Sequence, residues 1–354
     1  MRSPALLALA TAVAATALAG CGGDDGGATT HVETGGPSPG APQTTVAVER
    51  LPALVYASNR EGPYRLFASD PAGGQPLRVT NEQATFPAWT PDGRRLTFVT
   101  EQRGAAPGAS HGHDDEGEQD PHEHGLAEGD QVTIAAVALA GPQRAVATFP
   151  TGSRIPSHPT LRRVDGHDQI AYQAAALGSG ESPSINGPSD IDVLAPTESA
   201  RRTLVTAGGA AYQPAWSPDG RRLAVALGTP RCRSRRCDQT LVLRRPDGGR
   251  DRTLVADGVA GAPAWSPDGR TIAFTWDRGD GPALWTVAVA GGRPRAVPGG
   301  GPSASEPTWS PDGRRLAFSR GCDIHVVAVA GGRSRNLTRS PGVCEISPTW
   351  RPAG

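Results

Sequence analysis

Apolar residues along this chain fall in short runs in which every second position is apolar. The runs "RRLAFS" from Arg314 and "DIHVVAVA" from Asp323 show it best. That period of two is the mark of half-buried strands, and turn-forming residues interrupt it every ten residues or so. Around Trp309 the pattern predicts four strands in succession: "EPTWS", "RRLAFS", "DIHVVAVA" and "RSRNLT". The first two are joined by Ser310-Pro311-Asp312-Gly313, in which Pro presets φ, Asp bonds local amides and Gly takes the left-handed position. The last two are joined by "AGG", a tight hairpin signal.

The unit repeats. Trp89, Trp216, Trp265, Trp309 and Trp350 mark five copies, and "SHPTLRRVDGHDQIAYQA" from Ser157 is a worn sixth with Leu161 at the Trp position. A period of roughly 40 to 50 residues signals stacked or radial units. Four short antiparallel strands repeated six times predict an all-β fold, a six-bladed β-propeller. The copy at Trp350 has room for a first strand only, and "ALVYAS", "YRLFASDPAGG" and "LRVT" near the start of the repeat region match strands two to four. The N-terminal strands are therefore expected to close the last blade, leaving no open sheet edge.

Pro-x-Trp-Ser-Pro-Asp-Gly-Arg-x-Leu/Ile-Ala, read from Pro214, Pro263 and Pro307 and with Thr for Ser from Pro87, resembles the TolB-type propeller repeat. That WD-like repeat occurs in TolB of the Tol-Pal system and in the propellers of prolyl-oligopeptidase-like enzymes. The resemblance covers about residues 51–354 and implies the fold; it leaves function open, because the repeat is a packing device shared by unrelated roles.

The composition agrees, since 46 Gly and 34 Pro disfavour long helices. The 35 basic residues are all Arg, they balance 35 acidic ones, and no global basic field points to nucleic acid. Arg2 followed by "ALLALATAVAATALAG" and Cys21 reads as a lipoprotein signal peptide, 1–20, with Leu18-Ala19-Gly20-Cys21 resembling a lipobox. A lipidated Cys21 would hold the protein at the extracytoplasmic face of a membrane, cell surface or periplasm, without spanning it. Residues 21–50, rich in Gly, Pro and Thr, read as a flexible tether to a propeller over 51–354.

Strand order divides the connections between two faces. Turns from strand one to two and from three to four form one face, nearly uniform from blade to blade. The other carries everything irregular: the His- and acid-rich loop 104–130, "LGSGESPSINGPS" and "TPRCRSRRC". An even number of cysteines beyond Cys21 in an exported chain predicts disulfides, paired by position as Cys322 with Cys344 and Cys232 with Cys237. The residue before each first-strand Pro differs in every blade: Phe86, His158, Gln213, Ala262, Glu306 and Ser347. This position belongs at the mouth of the axial channel on the irregular face, where His158, Gln213 and Glu306 are the candidates to touch a ligand.

In the loop 104–130, His111, His113, His122 and His124 among Asp and Glu are ligand types for zinc or nickel, though no fixed geometry is encoded and no cofactor is required. Gly108-Ala109-Ser110-His111-Gly112 matches a nucleophile elbow but lacks the strand and helix that motif needs. Arg231, Arg233, Arg235 and Arg236 form a basic loop, with Arg244 and Arg245 expected nearby. His167 and His325 are expected to be structural or exposed. Three functions fit: a monomeric, non-catalytic scaffold binding an envelope protein, a peptide or a cell-wall polymer; a propeller enzyme of lyase or hydrolase type with His158 and Glu306 as acid and base; and a metal-binding lipoprotein.

Overall fold

The computed structural model describes residues 51, 53–102, 131–138, 144–150, 154–175, 189–194, 201–205, 210–228, 238–247 and 249–353. Among these there is no helix, and so none long and apolar enough to cross a membrane. Cys21, the loop 104–130 with its four histidines, and Cys232 and Cys237 lie outside the described residues.

Among the described residues, twenty-four strands form six sets of four. Blade 1 holds β4 (Thr85–Trp89), β5 (Arg95–Gln102), β6 (Gln131–Ala138) and β7 (Arg144–Pro150). Blade 2 holds β8 (Ile155–Val164), β9 (His167–Ala175), β10 (Ser189–Leu194) and β11 (Arg201–Val205). Blade 3 holds β12 (Ala211–Trp216), β13 (Leu223–Gly228), β14 (Gln239–Arg244) and β15 (Arg252–Val255). Blade 4 holds β16 (Val259–Trp265), β17 (Thr271–Asp277), β18 (Pro282–Ala288) and β19 (Arg295–Ala296), and one parallel bridge, Gln239 to Val259, joins it to blade 3. Blade 5 holds β20 (Ala304–Trp309), β21 (Arg315–Arg320), β22 (Asp323–Ala328) and β23 (Arg335–Asn336). The last blade has the order β24-β1-β2-β3, with β24 (Glu345–Trp350) from the C-terminal part and β1 (Leu54–Ser58), β2 (Arg65–Ser69) and β3 (Leu77–Arg78) from the N-terminal part. Each first strand touches the first strands of both neighbours, β4 to β8, β8 to β12, β12 to β16, β16 to β20, β20 to β24 and β24 to β4. The ring is thereby closed.

Period-two alternation explains the stacking. On β1, Val55 and Ala57 pack with Leu66, Trp89 and Phe98 toward blade 1, while Leu54 and Tyr56 pack with Ala317, Ile324 and Val326 toward blade 5. The third residue of each repeat's second-strand Leu/Ile-x-aromatic/Val triplet is buried in every blade: Phe98, Tyr172, Val225, Phe274, Phe318 and Tyr56. Each such side chain contributes roughly 1.5–3 kcal/mol. Trp265 and Trp309 donate their indole N–H to Ala215 O and Ala264 O of the preceding blade, each at 3.0 Å, tying neighbouring first strands together.

The repeated turn is built alike each time. In blade 3, Ser217 Oγ donates to Asp219 Oδ1 at 2.5 Å and accepts Arg222 N at 2.9 Å, while Arg221 N donates to Asp219 Oδ1 at 3.1 Å. Gly220 sits at φ +67°, the conformation that reserves the position for glycine. The hydroxyl of the serine holds Asp219 below the usual carboxylate range, and the same is true of Asp268 and Asp312.

Arg231, Arg233, Arg235 and Arg236 lie outside the described residues. Arg244 ends β14 and pairs with Leu223 beside the Ser-Pro-Asp-Gly turn, whereas Gln239 at the strand's start pairs with Gly228.

Candidate functional site

The six residues before the first-strand prolines form the most irregular part of an otherwise regular frame. Opposite each x-Pro pair the partner strand offers a single residue, so every first strand carries a bulge at this point. Proline has no N–H to give the ladder, and the extra residue absorbs the mismatch. All six preceding residues adopt a left-handed backbone, with φ of 50° at Phe86, 47° at His158, 50° at Gln213, 48° at Ala262, 52° at Glu306 and 52° at Ser347. None is glycine, and that conformation costs an L-residue about 1–2 kcal/mol. Strain of this kind is retained where the surrounding structure imposes it, and it commonly marks functional surfaces.

All six line a central cavity of about 490 Å³, together with the prolines and Trp positions that follow them and the turn prolines Pro91, Pro218, Pro267, Pro311 and Pro352, so the cavity extends from the ring toward the turn face and not, as expected, toward the irregular face. His158, Gln213 and Glu306 thus share one cavity. Ring order places His158 in blade 2 opposite Glu306 in blade 5, and Gln213 in blade 3 opposite Ser347.

Across three blade junctions, a side chain accepts the amide that the bulge leaves outside the ladder. Gln173 Oε1 takes Gln213 N at 3.1 Å, Gln213 Oε1 takes Ala262 N at 2.7 Å, and Glu306 Oε2 takes Ser347 N at 2.9 Å. The corresponding neighbours of His158 and Glu306 are Phe86 and Ala262, which have no acceptor to offer.

Glu306 also accepts Ser319 Oγ at Oε2 and Ser347 Oγ at Oε1, each at 3.1 Å. Burial raises its pKa above the usual range against the pull of those hydrogen bonds. No cation among the described residues pairs with it. Tyr64, buried nearby, has a hydroxyl without a hydrogen-bond partner, and burial followed by the Glu306 charge pushes its pKa up to about 12. On the opposite side, His158 packs against Phe86 with ring centroids 4.3 Å apart and planes tilted by 39°, and its Nδ1 lies 3.1 Å from Ser157 Oγ. Burial lowers its pKa to about 4, so the ring is neutral at physiological pH. The perturbation of each group comes from burial and local bonds, with nothing from the other. They are two separate features of one ring, one aromatic and neutral, one acidic.

A disulfide links Cys322 and Cys344 on the irregular face, 22 residues apart, and joins the second-to-third-strand loop of blade 5 to the connection into blade 6. Glu345 beside it is fully buried and pairs with Arg60. His167 is exposed, and His325 stacks on Phe318 at 5.6 Å. Among the described residues there is no group of three or more side chains placed to hold a metal ion. Gln173, Tyr64 and the left-handed backbone escape a reading of the repeat, because Gln173 and Tyr64 lie on non-first-strand segments and the left-handed residues have no type in common.

The family model of the TolB beta propeller domain matches residues 186–354. The crystal structure of TolB from Acinetobacter baumannii superposes with a TM-score of 0.61 at 17% identity, over 85% of this chain and 67% of that one. A nidogen/laminin complex gives 0.56 at 11% identity over 85% and 98%, and an oligogalacturonate lyase in complex with manganese gives 0.52 at 11% over 82% and 74%. At these identities the likeness is one of fold, shared by binding proteins and an enzyme alike. No curated protein matches in sequence.

Proposed function

We propose that this TolB-like β-propeller is a non-catalytic binding scaffold, anchored through a lipidated Cys21 at the extracytoplasmic face of a membrane, that receives a protein or peptide in its central cavity. The observation that carries the reading is the ring of six strained, mutually different residues just before the first-strand prolines. A buried carboxylate without a cation is costly to maintain. Glu306 therefore suits a basic side chain or amino terminus brought by the partner, and the Phe86–His158 pair offers an apolar platform across the cavity.

The same geometry weighs against His158 and Glu306 acting together as acid and base. They belong to opposite blades, neither tunes the other, and Glu306 is already engaged by three donors. Selection of displayed peptides on the purified chain tests the scaffold. Enriched peptides should carry a basic residue and lose binding to Glu306→Gln; selection that yields no basic preference, or binding indifferent to that substitution, would overturn it.

A further inference from the structure

The repeat departs from itself at the junction of blades 4 and 5. In blades 1, 3 and 5 the turn glycine is followed by two arginines, of which the second is Arg95, Arg222 and Arg315. In two of these blades the second arginine crosses to the next blade: Arg95 pairs with Asp168, and the Arg315 guanidinium lies 5.2 Å over the ring of Trp350. Blade 4 has Thr271 at that position. Its N–H keeps the turn bond to Ser266 Oγ at 2.9 Å, but its side chain is too short to cross. The space beside Trp309 stays open as a groove of about 850 Å³ on the turn face, with Thr271 and Thr286 of blade 4 along one side.

This groove is continuous with the central cavity, since Pro267, Trp309 and Pro311 line both. Beside those shared prolines stand Asp268 and Asp312, each held below the usual carboxylate range by its turn serine. The outer end is formed by the third-to-fourth-strand hairpin of blade 4 and by β19, its outermost strand, which bring Arg293 and Arg295. Both arginines are exposed and make no ion pair with a described residue. Charge is therefore ordered along one path, with carboxyl groups from Glu306 to the turns and cations at the far end. From Glu306 to Pro311 is about 16 Å of strand, and from the first strand of a blade to its fourth is about 14 Å, together about nine residues of extended chain.

We infer that the segment bound in the central cavity leaves through the groove between blades 4 and 5, and that the partner is an extended peptide with a basic group for Glu306 and an acidic residue about nine positions away for Arg293 and Arg295. Arginine's planar fork takes a carboxylate with two parallel hydrogen bonds, which suits the outer contact. Like charges brought together are costly, so the order of charge fixes which end of the segment lies deep. Gly291 and Gly292 of the hairpin add no side chain to the groove. This inference rests on the binding-scaffold reading above, and the two fail separately.

Random peptides of about twelve residues, long enough for that span, are displayed and selected in parallel on the purified chain and on its Thr271→Arg, Arg293→Glu/Arg295→Glu and Glu306→Gln variants. Peptides enriched on the unsubstituted chain should pair a basic residue with an acidic one about nine positions away. They should bind Thr271→Arg about ten-fold or more weakly, because the longer side chain closes the groove. Arginine is the repeat's own residue at that position, so the denaturation midpoint should not fall. Thr271→Ser, which leaves the groove open, should bind as the unsubstituted chain does. Selection on Arg293→Glu/Arg295→Glu should replace the acidic preference by a basic one. Undiminished binding to Thr271→Arg, equal loss in Thr271→Ser, or an acidic preference that survives the charge reversal would overturn the groove and leave the cavity reading standing. Enrichment that depends on Arg293 and Arg295 and is lost in Thr271→Arg, yet ignores Glu306→Gln, would sink the Glu306 contact and leave the groove. Selection that enriches nothing on any of the proteins would overturn both.

Discussion

The side chain of Gln213 in blade 3 accepts the backbone N–H of Ala262 in blade 4 at 2.7 Å, and its own N–H is received by Gln173 of blade 2 at 3.1 Å. One glutamine thus couples three blades around the central cavity. Gln213→Ala should destabilise the fold by about 1–2 kcal/mol, since the Ala262 amide loses its acceptor but can recover water from the channel. Urea denaturation measures it, and Gln213→Glu, which keeps an acceptor oxygen, should recover part of the loss.

Glu306 makes the equivalent bond to Ser347 at 2.9 Å with a charged group. Because burial raises its pKa, its contribution to stability is greatest below the ordinary carboxylate value and is lost as pH rises through the raised one. Glu306→Gln should therefore raise the melting temperature by about 2 °C or more at pH 8, with a smaller gain near pH 4.5. Scanning calorimetry at the two pH values gives the comparison. Gain of stability with loss of peptide binding would mark Glu306 as kept for recognition.

The left-handed backbone at Ala262, φ 48°, offers the cleanest test of strain because no side-chain function is lost there. Ala262→Gly should stabilise by about 1 kcal/mol, the left-handed penalty outweighing the entropy glycine adds to the unfolded chain. A lowered denaturation midpoint would show that the ring imposes no strain at that position.

His158 is held neutral, with its pKa lowered to about 4. Its contribution to stability is complete above the ordinary histidine value near 6.5 and is lost as pH falls from there to about 4, where the unfolded chain binds the extra proton. The urea midpoint should drop across that window, and His158→Phe, which preserves the contact with Phe86, should flatten this part of the profile.

The Cys322–Cys344 bridge closes a loop with a sequence separation of 22 residues. Chain-entropy reasoning gives it about 3 kcal/mol. Replacing both cysteines by alanine should shift the denaturation midpoint accordingly, and a reducing agent should shift the double variant by about 3 kcal/mol less than the unsubstituted chain, since the expected Cys232–Cys237 pair is common to both.

Much of the architecture is local enough to be read from the chain. Alternation specifies strands, Ser-Pro-Asp-Gly specifies a turn whose bonds span five residues, as from Ser217 to Arg222, and counting the copies yields the blades and their closure through β24 and β1. The position of the candidate site is legible for the same reason: the six residues before the prolines are where the repeat stops copying itself. What they do there is a tertiary matter. The left-handed φ belongs to a bulge that exists only when first and second strands are paired, and the bonds from Gln173 to Gln213, from Gln213 to Ala262 and from Glu306 to Ser347 join residues some 40 to 50 positions apart that meet only in the closed ring. Charge behaves likewise. A sum over 354 residues is zero, and it took the direction of each strand to send the arginines of every turn to one face, because net charge counts groups whereas an electrostatic field depends on where they stand.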